Sequence, residues 1–235
     1  MSGTSHFLYR PGWLACRVFY KLFGGVRVVG RENLPPDGRF LICANHASLL
    51  DPPAVGLAFR SPIGYLAKKE LFSIPLFGPL LRTVGAIPVD RSRLGKGTLD
   101  AIAYLLNTGI PVLVFPEGTR SRTGRLGRGK AGVGLLAREM AVPLVPTYVH
   151  GTRYWPRTWK KANRICVDFG LPIPAEWVAE TAADKTGYQG IADRLMSEIQ
   201  TLRDCHRAAS ALSPDPASTG DCFEHRLYAR TGKSQ

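Results

Sequence analysis

The segment Asn45-His46-Ala47-Ser48-Leu49-Leu50-Asp51 places an imidazole and a carboxylate within one short stretch. A loop of this length lets Asp51 fold back onto the His46 ring and take the Nδ1 proton, leaving Nε2 as a base. That is triad logic with the nucleophile supplied by the substrate. Alone, the spacing more often means a helix-capping aspartate beside an incidental loop histidine. Two further segments favour the chemical reading. Phe115-Pro116-Glu117-Gly118-Thr119-Arg120-Ser121 combines a glycine that permits a tight turn with hydroxyls, exposed amides and a guanidinium, a set suited to holding a phosphate. Gly85-Ala86-Ile87-Pro88-Val89-Asp90-Arg91 closes on a cation. A base beside an anion-binding loop is the equipment for acylating a hydroxyl on a phosphorylated alcohol.

The elements around these segments place them at strand ends. Phe40 to Ala44 is apolar throughout, as in a strand buried on both faces, and it stops just before His46. A helix is predicted over Pro52 to Phe59, with Asp51 as N-cap and proline in its first turn. Further strands are predicted at 26–29, 63–67, 86–89, 111–115, 144–149 and 164–169. Helices are predicted at 98–107, 133–140 and 187–206, where Ile191, Leu195, Ile199 and Leu202 recur at helical spacing. Leu71 to Leu81 is apolar but interrupted by Pro75, Gly78 and Pro79. Strands alternating with helices imply an α/β fold with a largely parallel sheet. The three motifs then share the C-terminal edge of that sheet, where such folds carry their sites.

The chain has 235 residues, enough for one domain with a well-buried core. Lys and Arg number 31 against 18 Asp and Glu, a net charge of +13 that favours nucleic acid, anionic membrane or phosphorylated substrates. No stacking platform or recognition motif accompanies the charge, so nucleic acid is not expected. Cys16, Cys43, Cys166, Cys205 and Cys222 are scattered with no CxxC pair, which reads as reduced thiols facing the cytosol. Neither a signal peptide nor a run of 18 apolar residues is present. On a helix from Gly12, Leu14, Val18 and Leu22 form a stripe that Trp13, Cys16, Phe19, Tyr20 and Phe23 widen, with Arg17 and Lys21 on a cationic edge. This suits a helix in the membrane interface, with Trp and Tyr at headgroup level. The other reading is a helix packed on the domain's own core.

With these residues in view, the chain resembles the glycerolipid acyltransferases of the lysophosphatidic acid acyltransferase type. Four blocks carry the resemblance in order: Asn45-His46 with Asp51, 85–91, 115–121, and Val142-Pro143-Leu144-Val145-Pro146. Ala67-Lys68-Lys69-Glu70-Leu71 is also typical, and the likeness covers about residues 25–150. It implies that His46, held by Asp51, deprotonates the sn-2 hydroxyl of a 1-acyl-glycerol 3-phosphate. The hydroxyl then attacks the thioester of acyl-CoA or acyl-carrier protein, giving phosphatidic acid. It implies further that Arg91 binds the acceptor phosphate, that Glu117 and Gly118 shape that site with Thr119 and Arg120 beside it, and that backbone amides near Lys68 or Lys69 face the oxyanion. No metal, cofactor or acyl-enzyme is implied. The organisation expected is an interfacial helix over 1–24, the acyltransferase domain over 25–207 and a disordered tail over 208–235, attached peripherally to the cytoplasmic face of a membrane. The same chemistry on another acceptor (a lyso-ornithine lipid, a glycolipid or glycerol 3-phosphate) stays open, as does a non-catalytic lipid-binding relative. Gly124 to Lys130 approaches a Walker A pattern, but Ala131 stands where Ser or Thr would bind magnesium. The acid-free basic stretch from Arg120 to Lys130 is either a solvated face or a contact for headgroups or donor phosphates. His150 is read as structural, and His6, His206 and His225 show no partner.

Overall fold

The computed structural model describes residues 4–22, 25–75, 77–84, 86–90, 95–154 and 165–212. Seven strands form one sheet in the order β1-β7-β6-β2-β5-β3-β4. They are β1 (Val26–Val29), β2 (Leu41–Ala44), β3 (Gly64–Lys68), β4 (Ala86–Val89), β5 (Val112–Val114), β6 (Leu144–His150) and β7 (Ile165–Phe169). From β6 through β4 every neighbouring pair is parallel. β7 runs antiparallel to β6 and carries β1 beside it in parallel. The expected α/β architecture with a largely parallel sheet is therefore present. The register aligns Leu41 of β2 with both Val112 and Leu144, so β2 lies centrally and its end is flanked by the ends of β5 and β6.

Helices cover both faces, because the strands alternate their apolar side chains between them. Leu41 and Cys43 of β2, Val112 and Val114 of β5, and Leu144 of β6 enter one core with α4 (Lys96–Asn107), α5 (Ala131–Met140) and α7 (Lys185–Leu212). Ile42 and Ala44, Leu113, and Val145 and Val149 enter the other, against Tyr20 of α1 (Thr4–Leu22) and Ala54 and Val55 of α2 (Asp51–Gly56). Two short helices, α3 (Phe77–Thr83) and α6 (Ala175–Glu180), complete the α-helices among the described residues.

Several boundaries differ from expectation. α2 begins at Asp51 itself, and its N-cap is Leu50. Pro52 and Pro53 in the first turn have no N–H to be capped, which frees the Asp51 carboxylate for other donors. The interrupted run 71–81 folds as a 3-10 turn (Lys69–Ser73) followed by α3, with Pro79 in the first turn where proline is tolerated. α7 continues through Leu212, past the boundary expected at 207; residues 213–235 lie outside those described.

α5 and α7 approach closely at Gly134, where an added Cβ would stand 2.1 Å from the Tyr188 carbonyl oxygen. In an open helix Gly→Ala stabilises by about 1 kcal/mol. Here the methyl meets rigid backbone, so Gly134→Ala is expected to destabilise by about 1–3 kcal/mol. Urea unfolding monitored by circular dichroism measures the sign.

Candidate active site

All five strands from β6 to β4 end along the same edge, and the chemistry-bearing residues follow those ends. His46 comes two residues beyond β2, Phe115 to Ser121 follow β5, and Thr152 comes two residues beyond β6. β2 sits between the other two strands, so the three segments meet over its end.

His46 and Asp51 form the centre of this meeting. Nδ1 lies 2.8 Å from Asp51 Oδ2, with His46 at 8% exposure and Asp51 at 0%. A carboxylate only accepts, so the contact places the ring proton on Nδ1 and leaves the Nε2 lone pair free. Oδ2 also accepts from the backbone N–H groups of Ala47 and Ser48, each at 2.7 Å. Oδ1 accepts from the Thr152 hydroxyl at 2.5 Å. The aspartate thus organises the loop between it and the histidine, a larger task than capping α2. Phe115 stacks on the imidazole with ring centroids 3.9 Å apart and planes 16° apart, which fixes the ring about its second axis. The neighbouring Asn45 side chain exchanges two hydrogen bonds with the Val149 backbone, at 3.0 and 2.7 Å, and adds a further tie between the end of β2 and β6.

The Phe115–Ser121 loop is tied to the same centre. Buried Glu117 accepts from the His46 backbone N–H at 3.1 Å and from the Gly127 N–H at 2.9 Å. Its carboxylate is therefore a clamp between segments, and it shapes the site through backbone. Gly118 adopts φ 69°, a left-handed turn closed by its N–H donating to the Phe115 carbonyl at 2.9 Å. The Ser121 N–H donates to the His46 carbonyl at 2.7 Å, and the Lys130 N–H to that of Pro116 at 3.0 Å. These bonds hold the basic stretch as a strap beside His46, with Arg120, Arg122, Arg125, Arg128 and Lys130 exposed along it. In the Walker-like run within it, the Gly127 amide is committed to Glu117, and Ala131 stands where Ser or Thr would bind magnesium.

Among the described residues, the other site candidates read from the sequence follow the same strand ends. Thr119 and Arg120 are exposed just past the Gly118 turn. Lys68 ends β3, beside β5 on the same edge, and its ammonium pairs with Glu70 at 3.2 Å. Lys69 pairs with Asp90, at the end of β4, at 2.5 Å. Arg91 lies outside the described residues. Thr152, Phe115 and Asn45 carry roles that the sequence reading did not assign. Thr152 has no motif to mark it; its one signal is its place just beyond a strand adjacent to β2.

His150 turns away from His46, toward α7. It stacks at 6.1 Å on Tyr148 and lies 4.7 Å from the His206 ring. Burial, reinforced by neighbouring His206, pushes its pKa down to about 4. His206, read from sequence as unpartnered, pairs through Nδ1 with Asp168 at 3.1 Å. The side chains of His6 and His225 lie outside those described.

α1 answers both readings of the N-terminal segment. Its inner face packs on the domain: the Trp13 Nε1–H donates to the Phe59 carbonyl at 3.1 Å, and the Tyr20 hydroxyl to the Leu50 carbonyl at 2.7 Å. The polar tips of both rings thus find backbone partners in the protein. The outer face keeps Leu14, Val18 and Leu22 exposed at 55%, 50% and 72%. Among the described residues no helix is long and apolar enough to cross a membrane.

A family model described as Acyltransferase matches residues 25–150. The 1-acyl-sn-glycerol-3-phosphate acyltransferase of Bacillus subtilis is 36% identical over 151 residues, covering 63% of this chain and 74% of that protein. A chloroplastic 1-acyl-sn-glycerol-3-phosphate acyltransferase of Arabidopsis thaliana is 35% identical over 137 residues, covering 57% of this chain but 37% of that longer one. The crystal structure of the 1-acyl-sn-glycerophosphate acyltransferase PlsC from Thermotoga maritima superposes with a TM-score of 0.59 at 25% identity, over 82% of this chain and 81% of that one. Those residues hold the His46–Asp51 pair and the Glu117–Gly118 loop, and the chain belongs to the Acyltransferase family.

Proposed function

We propose that this chain is a 1-acyl-sn-glycerol-3-phosphate O-acyltransferase in which His46 is the general base. The observation that carries the reading is the 2.8 Å contact of Nδ1 with a buried carboxylate, which leaves Nε2 free at the edge of the sheet. Nε2 takes the proton of the acceptor's sn-2 hydroxyl as the oxygen attacks the thioester carbonyl of acyl-CoA or acyl-carrier protein. Asp51 stabilises the imidazolium that results. The tetrahedral intermediate collapses, the C–S bond breaks, and the imidazolium returns its proton to the departing thiolate. Phosphatidic acid and a free thiol leave. The chemistry draws on no metal or prosthetic group. Backbone amides near Lys68 or Lys69, on the same edge as His46, serve the oxyanion.

Acceptor recognition follows from charge. Arg91, which follows β4 and Asp90 in sequence, binds the acceptor phosphate, with the Gly118 turn, Thr119 and Arg120 beside it. Glu117 contributes by fixing both the His46 backbone and the strap. The paired His46 and Asp51 favour an enzyme over a non-catalytic lipid-binding relative, because a binding module needs no base with a fixed tautomer.

The protein attaches to the cytoplasmic face of a membrane without spanning it. The support is the stripe of Leu14, Val18 and Leu22, the exposed Arg17 and Lys21 beside it, and the net charge of +13. The Tyr20–Leu50 hydrogen bond joins this helix to the His46–Asp51 loop, so docking brings the base to the lipid. Leu49, on that loop, is 63% exposed. Extracting an amphiphilic acceptor into water would cost about 0.8 kcal/mol per CH₂, which docking avoids.

Purified protein given a labelled acyl thioester and a panel of lyso-acceptors should acylate 1-acyl-glycerol 3-phosphate in preference to the others. His46→Ala should reduce turnover by roughly 10²–10⁴ with the fold intact, and Asp51→Asn should also be severe because an amide can hold the wrong tautomer. Near-normal turnover in a folded His46→Ala variant overturns the mechanism, and preference for an acceptor without phosphate overturns the substrate. For attachment, liposome flotation compares the full chain with one lacking residues 1–23. The full chain should float with anionic vesicles, weaken but not detach in salt, and lose most binding on truncation. Equal flotation of both forms would move the anchor elsewhere, with the run Leu71 to Leu81, whose α3 packs beside α1, the next segment to test.

A further inference from the structure

Thr152 lies outside the stretch matched by the family model and outside all four sequence blocks. It nevertheless reaches the most constrained group of the site. The Asp51 carboxylate is 0% exposed, so each of its oxygens depends on protein donors. Oδ2 has three: the His46 ring and the amides of Ala47 and Ser48. Oδ1 receives the Thr152 hydroxyl at 2.5 Å, from a residue that is itself 2% exposed. The donors on Oδ2 all come from the loop that Asp51 terminates. The Thr152 bond alone among these ties the carboxylate to β6, across the sheet edge.

The backbone is shaped to make that contact. Gly151 adopts φ 89°, a conformation open to glycine, immediately after β6 ends at His150. The chain bends there and a 3-10 turn (Thr152–Tyr154) begins, which brings Thr152 back over the end of β2. Bonds at both oxygens fix the plane of a carboxylate, whereas bonds at one oxygen allow it to pivot. A pivot at Asp51 would turn the His46 ring with it and carry Nε2 off the line to the acceptor hydroxyl.

We propose that Thr152 is a positioning residue for acyl transfer, acting through Asp51 Oδ1 to hold the carboxylate plane and with it the aim of His46. The proposal rests on the reading of His46 as the base. Thr152 is buried and reaches the site through Asp51, so its effect belongs in kcat and not in either KM.

The test measures kcat, both KM values and thermal melting for Thr152→Val, Thr152→Ser, Asp51→Ala and the Asp51→Ala/Thr152→Val double variant. Thr152→Val should lower kcat roughly 10- to 100-fold, the range for one hydrogen bond to a charged group, with both KM values within about twofold of wild type. Thr152→Ser keeps the hydroxyl and should restore most of the loss. In the Asp51→Ala background Thr152→Val should cost nothing further, since the group it acts through is gone. Wild-type kcat in Thr152→Val, a loss that Thr152→Ser fails to recover, or full additivity with Asp51→Ala would each overturn the proposal. Thr152→Ala replaces Thr152→Val in every comparison if the valine variant does not fold. His46→Ala, run alongside, separates the two readings: an active His46→Ala refutes the base, whereas an inactive one beside a fully active Thr152→Val refutes the positioning role alone.

Discussion

The arrangement depends on a buried carboxylate that must be satisfied. Asp51 is cut off from water, and an unpaired charge in that position would cost several kcal/mol. Its donors come from the loop backbone at Ala47 and Ser48, from the His46 ring, and from Thr152 beyond β6. Meeting that requirement folds the loop, sets the imidazole tautomer and joins two strand ends. Glu117 does the same for the neighbouring loop by accepting the amides of His46 and Gly127. Both acids work on backbone N–H groups, and the site's geometry is largely a consequence of where those amides must go.

The sheet supplies the stage on which this is possible. A parallel sheet gathers strand C-termini on one edge, and β2 between β5 and β6 brings together segments distant in sequence. The antiparallel β7 ends that series on one side, and the β6–β7 face is completed by the His150–His206–Asp168 cluster under α7. Depressing the His150 pKa to about 4 keeps that ring neutral near pH 7, as befits a packed group on the face away from His46. On the His46 side, α1 seats its polar ring tips on the domain and leaves an aliphatic stripe outward. One helix thereby braces the loop while keeping its aliphatic stripe exposed.

Much of this was legible in the residues. Phe40–Ala44 and Pro111–Phe115 are apolar runs of strand length, and the structure places β2 and β5 within them. His46 and Asp51 were recognisable as a pair because a short loop after a buried strand leaves a carboxylate few other places to go. The capping role expected for Asp51 was not adopted: Pro52 and Pro53 have no N–H to offer, and the Ala54 N–H donates to the Leu50 carbonyl instead. Thr152 was not legible: it meets Asp51 only because β6 pairs with β2, a tertiary fact that local periodicity does not encode. The contacts that seat Trp13 and Tyr20 on the domain were not legible for a related reason. An amphipathic stripe shows which residues are apolar, and the Phe59 and Leu50 carbonyls that capture these rings belong to other segments.

The central claim is that Asp51 holds the His46 proton on Nδ1 so that Nε2 is the base. Long-range ¹H–¹⁵N correlation spectra of the imidazole side chains, with His46 assigned by comparison with His46→Ala, read the tautomer directly. The account predicts a protonated Nδ1 and an unprotonated Nε2 at neutral pH in the wild-type protein. A neutral ring carrying its proton on Nε2 would contradict it, because that nitrogen would have no lone pair to take the proton of the acceptor hydroxyl.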